Sequence, residues 1–318
     1  MKILITGSAG FIGFNLAKSL LANKKYKIIG IDNFDKYYDV NLKKKRNKIL
    51  LKNKNYQFYK INISNKKKLE YIFKKNKLDF VFHLAAQAGV RYSITNPQKY
   101  MDSNYIGFFN IIECVKKYKL KRLFYASSSS VYGENKNYPL KENYEINPIN
   151  IYALSKKSNE EISKVYSKYY KINCTGLRFF TVFGQWGRPD MMMMKFIDSY
   201  FKNKVFYLYN FGKHSRDFTY IDDTVEILKL LLSKNSKLNN NDIFNICSNK
   251  PQSLKKIIDF MKTKSINPKI KKISLQQADI IKTHGDNRKV LKITKFKKFK
   301  SFKFGLEQTI NWYKNFMI

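Results

Sequence analysis

The sequence predicts an α/β protein in which helices cover both faces of a mostly parallel sheet. Two observations carry this prediction: strand-like apolar segments alternate with segments of helical spacing through the first half of the chain, and a glycine-rich turn joins the first strand to the first helix. Parallel neighbours need a crossover connection, usually a helix, so repeated strand–helix units favour a parallel sheet. The predicted strands are residues 2–6, 27–31, 56–61, 79–84, 122–127 and 174–179, and the clearest helices are residues 11–22, 66–75, 100–118 and 152–170.

The regular alternation ends near Gly184, which divides the predicted architecture. Residues 1–180 are expected to form the larger domain, and residues 181–318 mainly a smaller C-terminal α/β lobe. Gly187 and Pro189 interrupt residues 185–194, which are therefore predicted to form a loop. An amphipathic helix is predicted near residues 305–316, and the division allows the chain to cross between the two parts more than once.

The net charge of +39 comes from 62 lysines and arginines against 23 acidic residues. A nucleic-acid surface is one interpretation, and a non-catalytic protein that binds RNA is the remote alternative. The basic residues are dispersed along the chain, which favours a solvated lysine-rich surface and no specific nucleic-acid partner. Only seven of the 62 basic residues are arginines, at positions 46, 91, 122, 178, 188, 216 and 288. Lysine thus fills positions where a point charge suffices, and arginine is expected where a planar, two-pronged donor is needed.

The cysteines and the N-terminus bear on the compartment. Cys114, Cys174 and Cys247 are too few and too scattered for a disulfide framework or a zinc site. The opening MKILITG predicts a strand entering a turn and lacks the features of a signal peptide. The sequence contains no run of about 18 apolar residues, so no transmembrane helix is expected. We therefore expect a cytoplasmic protein with no membrane insertion and no bound metal.

A dinucleotide site is predicted where the first strand ends. Gly7, Gly10 and Gly13 lie between strand and helix, where glycine allows a tight turn, a close approach to a pyrophosphate and close packing of the helix on the strand. Asp32 ends the second strand. A carboxylate there accepts hydrogen bonds from the adenosine ribose and repels a 2′-phosphate. The pattern predicts a doubly wound Rossmann domain that binds NAD rather than NADP.

A catalytic pair is predicted on the helix at residues 152–170. Tyr152 and Lys156 are four residues apart, which puts both side chains on one helix face. A lysine ammonium, together with an oxidised nicotinamide, favours tyrosinate and lowers the pKa of the phenol toward neutrality, so that Tyr152 becomes a general base. The segment of residues 127–130, which ends the preceding strand, consists of four serines and supplies a third hydroxyl.

These motifs resemble the extended short-chain dehydrogenase/reductase family, which includes the NAD-dependent epimerases and dehydratases, and within it the bacterial UDP-glucuronate 4-epimerases. The resemblance rests on the Gly-x-x-Gly-x-x-Gly spacing and on residues 32–42, 85–93, 177–184, 186–191 and 216–223, and it covers nearly the whole chain. It implies that Ser128 is the catalytic hydroxyl, with Ser129 as the alternative. The further cofactor contacts that it implies are Phe11, Ile12, Asn33, Asn62, Ile63, Leu84, Ala85, Ala86, Gln87, Asn104, Ser127 and Phe179.

The resemblance also implies where a nucleotide sugar binds. Ser129 and Ser130 stand where related dehydratases and decarboxylases carry acidic residues, so hydride removal and return at one carbon is the simplest chemistry. For a sugar carboxylate the implied contacts are Thr181, Ser129, Ser130 and Arg188, with Arg91 adding positive field. For the diphosphate, ribose and uridine they are Arg216, Gln276, Asp279, Lys195, Val205 and Tyr207, with Gln277 and Ala278 replacing the usual Pro-Gly beside them.

The implied reaction is epimerisation of UDP-glucuronate at C4, with NAD as a resident cofactor. The alternative within the enzyme class is a 4-epimerase for a neutral UDP-hexose. The family also implies a homodimer through the helices at residues 100–118 and 152–170.

Overall fold

The computed structural model describes residues 1–276 and 279–317. Its strands are β1 (Lys2–Thr6), β2 (Lys27–Asp32), β3 (Tyr56–Lys60), β4 (Phe80–His83), β5 (Arg122–Ser128), β6 (Cys174–Phe179), β7 (Thr181–Phe183), β8 (Phe206–Tyr209), β9 (Ser215–Tyr220), β10 (Asn241–Ile246), β11 (Pro251–Ser253) and β12 (Ile270–Ile273). Its α-helices are α1 (Phe11–Leu21), α2 (Val40–Leu51), α3 (Lys66–Asn76), α4 (Val90–Thr95), α5 (Pro97–Tyr100), α6 (Gly107–Lys117), α7 (Ile151–Tyr170), α8 (Met192–Phe201), α9 (Ile221–Ser233), α10 (Leu254–Thr263), α11 (Arg288–Thr294) and α12 (Phe302–Phe316).

A seven-stranded sheet forms the centre of the molecule, in the spatial order β10-β6-β5-β4-β1-β2-β3. All of its neighbouring strands are parallel. The run β3-β2-β1-β4-β5-β6 is the strand order of doubly wound dinucleotide-binding domains, in which ligands bind beyond the carboxyl ends of the strands. The predicted fold class is confirmed.

Side chains alternate between two cores because successive residues of a strand point to opposite faces of the sheet. Ile3 and Ile5 of β1 and Phe82 of β4 enter the core that α1 and α9 cover. Leu4 and Val81 enter the opposite core, which α3 and α6 cover. Helices therefore exclude water from both faces, which explains why these strands are apolar without a polar alternation.

The predicted elements can be compared with the observed ones. All six predicted strands are confirmed within one residue at each end. The helix predicted at residues 100–118 begins instead with a π-helical turn at Met101–Ile106 before α6. The loop predicted over residues 185–194 ends early, because Met192 already begins α8.

The second half of the chain does not stay outside the central sheet. After β7, β8, β9 and α9, the chain returns to pair β10 with β6. The C-terminal part otherwise builds a three-stranded sheet, β11-β9-β7, and a two-stranded sheet, β12-β8. The predicted domain boundary near residue 180 stays a prediction. Residues 241–246 follow this boundary in the chain but belong to the central sheet. Within residues 1–276 and 279–317, no helix has the length and apolar character needed to cross a membrane.

Candidate active site

The glycine turn after β1 leaves a backbone cradle at the carboxyl edge of the sheet. Gly7 has φ +68°, and a Cβ there would meet the backbone of Ala85 at 2.8 Å, so only glycine fits. A Cβ on Gly13 would overlap the Gly7 carbonyl. Gly10 caps α1 without any side-chain hydrogen bond, which leaves the N–H groups of the first helical turn facing the pocket. Such a helix end suits an anionic group.

Asp32 holds this cradle and forms part of the same pocket. Its carboxylate accepts hydrogen bonds from Ala9 N at 3.1 Å and from Phe34 N at 2.8 Å. Burial raises the pKa of Asp32, against the lowering effect of these N–H groups and of Lys43. Lys43 also lines the pocket and donates to the Asp35 carbonyl at 2.6 Å. Sequence reasoning missed Lys43, whose position in a lysine-rich helix gave no signal.

The structure brings nearly all predicted cofactor residues together in one pocket. Asn104 is the exception, because it is buried behind the wall. Its amide oxygen accepts from Gln87 N at 2.8 Å, and its amide nitrogen donates to Gln87 O at 3.0 Å and to Ser155 Oγ at 2.9 Å. The predicted cofactor residues that line the pocket are Gly7, Gly10, Phe11, Ile12, Gly13, Asp32, Asn33, Asn62, Ile63, Leu84, Ala85, Ala86, Gln87, Ser127, Tyr152, Lys156 and Phe179.

The π-helical turn at Met101–Ile106 explains how Asn104 reaches both partners. One extra residue in the turn is a feature that often accompanies functional sites. Here it lets a single amide connect the loop after β4, which contains Gln87, to Ser155 on α7. The turn thereby fixes the pocket wall relative to the helix that contains Tyr152.

Tyr152 and Lys156 lie together on α7, which starts where Asn150 Oδ1 accepts from Ala153 N at 2.8 Å. Lys156 is 2% exposed and donates from Nζ to the Ala126 carbonyl at 2.8 Å. Burial lowers the pKa of Lys156 to about 8. Burial raises the pKa of the Tyr152 phenol, against the lowering effect of the Ser128 hydroxyl and the Arg188 charge. The predicted fall of the Tyr152 pKa toward neutrality is therefore not produced by the protein groups alone.

The serine run separates into a pocket part and a turn. Ser127 and Ser128 end β5 and line the pocket. Ser129 and Ser130 begin a short 3₁₀ turn and lie outside the walls of both cavities described here. The Ser130 N–H donates to Ser128 Oγ at 3.2 Å. Of the two alternatives for the catalytic hydroxyl, the geometry favours Ser128. The cavity walls do not include Ser129 and Ser130, so their contact with a substrate stays a prediction.

A buried ion pair between Arg178 and Glu160 contacts the end of β5 through Ser127. Glu160 accepts from Arg178 Nε at 2.9 Å and Nη2 at 2.8 Å, and also from the Ser127 hydroxyl at 2.5 Å. Both ionic side chains are 3% exposed. Sequence reasoning missed Glu160, although its position four residues after Lys156 puts it on the same face of α7.

A second cavity opens beside the first and is bounded by the C-terminal part of the chain. Of the predicted substrate residues, its walls contain Arg91, Thr181, Arg188, Lys195, Tyr207, Arg216 and Asp279. Arg188 lines both cavities, so it lies where a ligand in one meets a ligand in the other.

Arg188 is already paired with a carboxylate. It donates from Nε to Asp190 Oδ1 at 3.0 Å and from Nη2 to Asp190 Oδ2 at 2.5 Å, while the Tyr37 hydroxyl donates to Asp190 Oδ2 at 3.1 Å. Burial raises the pKa of Asp190, but Arg188 outweighs it and holds this pKa below the usual value. Sequence reasoning missed both Tyr37 and Asp190.

Two further arginines, Arg91 and Arg216, line the second cavity. Arg91 donates to Asp279 from Nε at 3.2 Å and Nη2 at 2.5 Å, and its guanidinium lies 3.9 Å from the centre of the Tyr209 ring. Arg91 is therefore paired with Asp279 and stacked on Tyr209 in the cavity wall. Arg216 donates to the carbonyls of Ser215 and Ile281, and burial lowers its pKa to about 10.

Besides Ser129 and Ser130, two further predicted substrate contacts lie away from the cavity walls. Val205 precedes β8 and is 43% exposed, so the wall begins one residue later at Phe206. Gln276 is exposed and outside the wall. Gln277 and Ala278 lie outside the described residues. Over the part of the chain that the structure describes, no group of three or more potential ligand side chains could hold a metal ion.

The sequence and the fold both have close counterparts among known proteins. Residues 3–247 match the NAD dependent epimerase/dehydratase family. A UDP-glucuronate 4-epimerase of Thermodesulfobacterium geofontis is 37% identical over 98% of this chain and 95% of its own. The crystal structure of UDP-glucuronic acid 4-epimerase from Bacillus cereus, in complex with UDP-glucuronic acid and NAD, superposes with a TM-score of 0.93 at 31% identity over 99% of both chains.

A neutral-sugar enzyme has the same fold. The UDP-glucose 4-epimerase of Thermotoga maritima, solved with UDP-glucose, superposes with a TM-score of 0.90 at 27% identity over 100% of both chains. Coverage is essentially complete in the comparisons with single proteins, and the family model matches well over half of the chain. The chain belongs to the NAD dependent epimerase/dehydratase family.

Proposed function

We propose that this chain is an NAD-dependent enzyme that interconverts UDP-glucuronate and UDP-galacturonate at C4. The first pocket fits a dinucleotide, because Gly7 and Gly13 leave no room for a Cβ and α1 has an open N-terminus. Asp32 suits the adenosine ribose, since its carboxylate lines the same pocket. The relatives named for UDP-glucuronate, and the one solved with UDP-glucuronic acid and NAD, support this ligand pair.

One observation carries the substrate assignment: Arg188 lines both cavities, close enough to Tyr152 for its charge to lower the pKa of the phenol. Arg216, on β9, is left for the diphosphate in the second cavity. A nucleotide sugar that extends from Arg216 toward Tyr152 presents its sugar to Arg188. A guanidinium is the side chain best suited to a carboxylate at that end.

In the proposed mechanism, the Tyr152 phenolate takes the proton of the 4-hydroxyl and Ser128 orients the sugar oxygen. Bound NAD supplies the acceptor for the C4 hydride and later its donor. Because burial holds the pKa of Tyr152 above its usual value, the phenolate would depend on the positive charge of a bound oxidised nicotinamide. Tyr152 returns the proton after the 4-keto sugar has turned its other face, so proton and hydride both balance.

The test is incubation of the purified protein with UDP-glucuronate and separation of the nucleotide sugars. Formation of UDP-galacturonate without added cofactor supports the proposal. Tyr152→Phe is the control: it keeps the ring but removes the base, and it should lower turnover by roughly 10² to 10⁴-fold. No UDP-galacturonate from wild-type protein that contains bound NAD would reject the acid-sugar proposal.

The second candidate is 4-epimerisation of a neutral UDP-hexose. It is favoured by the Arg188–Asp190 pair, because a guanidinium that already has a carboxylate partner attracts a second one less strongly. UDP-glucose in the same assay distinguishes the two candidates. Faster turnover of UDP-glucose than of UDP-glucuronate would establish the neutral-sugar function.

We also propose a homodimer through α6 and α7. Large apolar side chains are exposed on this face: Phe109 is 46% exposed, and Leu154 and Val165 are exposed to a similar extent. Phe109→Glu should give a monomer by light scattering if this face is the interface. The three cysteines are unpaired and buried, which suits the cytoplasmic location that the sequence predicts.

A further inference from the structure

Arg46 is a fully buried cation on α2 that the proposed chemistry does not use. Its side chain is 0% exposed. Over the described residues, no carboxylate forms an ion pair with it, and its Nε has no hydrogen-bond partner. A buried charge without a carboxylate partner is costly. The hydrogen bonds that Arg46 does form come from Nη1 and Nη2, and they indicate what this residue contributes.

One side of the guanidinium holds the glycine turn. Arg46 Nη1 donates to the Ala9 carbonyl at 3.0 Å. The N–H of the same residue, Ala9, donates to Asp32 at 3.1 Å. Ala9 lies between Gly7 and Gly10, so Asp32 and Arg46 together fix the backbone that forms the dinucleotide cradle. The same Nη1 also donates to the Tyr38 hydroxyl at 2.8 Å.

The other side of the guanidinium holds the loop that precedes Arg188. Arg46 Nη2 donates to the Trp186 carbonyl at 2.6 Å and to the Gly187 carbonyl at 3.2 Å. Trp186 has φ +60°, a conformation that a non-glycine residue keeps only when its surroundings enforce it. The next residue after these two carbonyls is Arg188. The backbone position of Arg188 is thus tied directly to Arg46.

We propose that Arg46 is a positioning residue that couples the dinucleotide cradle to Arg188, so that recognition of the acidic sugar depends on it. This inference rests on the proposed function, because it takes Arg188 as the contact for the sugar carboxylate. One planar guanidinium spans the two backbone segments with separate nitrogens. A lysine ammonium at this position has a single nitrogen and cannot reach both segments in the same way.

The experiment compares Arg46→Lys with wild-type protein for three ligands: NAD, UDP-glucuronate and UDP-glucose, the last measured as a competing ligand. We expect weaker NAD binding and, in NAD-saturated protein, a decrease of about 10- to 100-fold in kcat/KM for UDP-glucuronate, as follows when a contact group shifts by about 1 Å. Affinity for UDP-glucose should change by less than about threefold, because it has no carboxylate for Arg188.

Arg122→Lys is the matched control. Arg122 is also buried and donates to several carbonyls, but it lies outside both cavities. The Arg122→Lys substitution should lower the thermal midpoint of unfolding without changing the ratio of UDP-glucuronate to UDP-glucose affinity. A merely structural role for Arg46 predicts the same behaviour as Arg122.

The outcomes separate the inference from the proposed function. If wild-type protein does not act on UDP-glucuronate, the proposed function fails. If it does, but Arg46→Lys lowers NAD binding alone or affects both sugars equally, the coupling is overturned. If Arg46→Lys does not fold, Arg46→Met is measured in its place. If neither variant folds, Arg46 has a structural role and the inference is rejected.

Discussion

Replacing Arg188 by alanine tests the substrate assignment most directly. The side chain is 25% exposed and its partner Asp190 is 23% exposed, so the pair is intermediate between a surface ion pair and a buried one. Surface pairs contribute about 0–1 kcal/mol, and breaking a buried pair costs about 3–5 kcal/mol. We expect a loss of about 1–2 kcal/mol in the free energy of unfolding, which leaves the protein folded.

The effect on substrate should exceed the effect on stability. Loss of a charge-assisted contact to the sugar carboxylate costs about 1.5–3 kcal/mol, or roughly 10- to 150-fold in kcat/KM. Asp190 then keeps only the Tyr37 hydroxyl of these two partners, and its negative charge repels the substrate carboxylate. The loss should therefore lie in the upper half of this range. Arg188→Lys should recover only part of it.

The assay measures kcat/KM for UDP-glucuronate and the dissociation constants of UDP and UDP-glucose. Binding of UDP should stay within a few-fold of wild type, because Arg216 is the expected diphosphate contact. Arg288→Ala is the matched control, since Arg288 pairs with Asp286 across the same two-residue spacing but lies outside both cavities. An equal loss for UDP-glucose and UDP-glucuronate, or no loss for either, would refute the reasoning.

Three other predictions concern the cofactor, pH and the fold. NADP should not replace NAD in cofactor-stripped protein, because Asp32 repels the 2′-phosphate; equal reactivation by both would contradict this. Lys156→Met should raise the urea midpoint relative to wild type more at about pH 7 than at about pH 10. The burial cost of the ammonium is fully present below its folded pKa of about 8 and is lost as the pH rises toward the usual lysine value. Arg122→Lys should lower the free energy of unfolding by about 1–3 kcal/mol, measured in urea, because carbonyls at positions 174, 238 and 239 lose their donors.

Local signals in the sequence were sufficient for the elements of the central sheet. Apolar strands and helical spacing depend on neighbours within a few residues, so β1 to β6 and α1, α3 and α7 were predicted closely. The π-helical turn before α6 was not, because the helical pattern runs through it unbroken and the extra residue serves contacts with Gln87 and Ser155. The domain prediction allowed the chain to cross between the two parts, but it did not identify the pairing of β10 with β6, because that pairing joins segments far apart in the chain.

The same distinction applies to the candidate site. Motif spacing led to Tyr152, Lys156 and the glycine turn, which the fold brings into one pocket. Tyr37 had no local signal, because it lies 153 residues before the aspartate that it contacts. Asp190 was overlooked although it is only two residues from Arg188. The effect of burial, which raises the pKa of Tyr152, had no local signal because burial depends on the whole fold. The lowering of this pKa by Lys156 together with an oxidised nicotinamide stays a prediction.

Arginine usage connects the composition to the structure. In a chain where only seven of the 62 basic residues are arginines, all seven make a multi-donor contact or lie in a cavity wall. Arg46, Arg122 and Arg178 are buried and donate to several acceptors each. A lysine ammonium cannot present a planar fork, so exchange to lysine was tolerable only where one point charge sufficed. The lysines therefore make up most of the +39 charge and reflect the solvated surface, whereas the arginines mark positions where geometry constrains the residue. That contrast argues against reading the net charge as a binding function. It also places Arg46 with Arg122 and Arg178 among the positions that need a planar fork, and the comparison of Arg46→Lys with Arg122→Lys tests whether Arg46 does more than hold the fold.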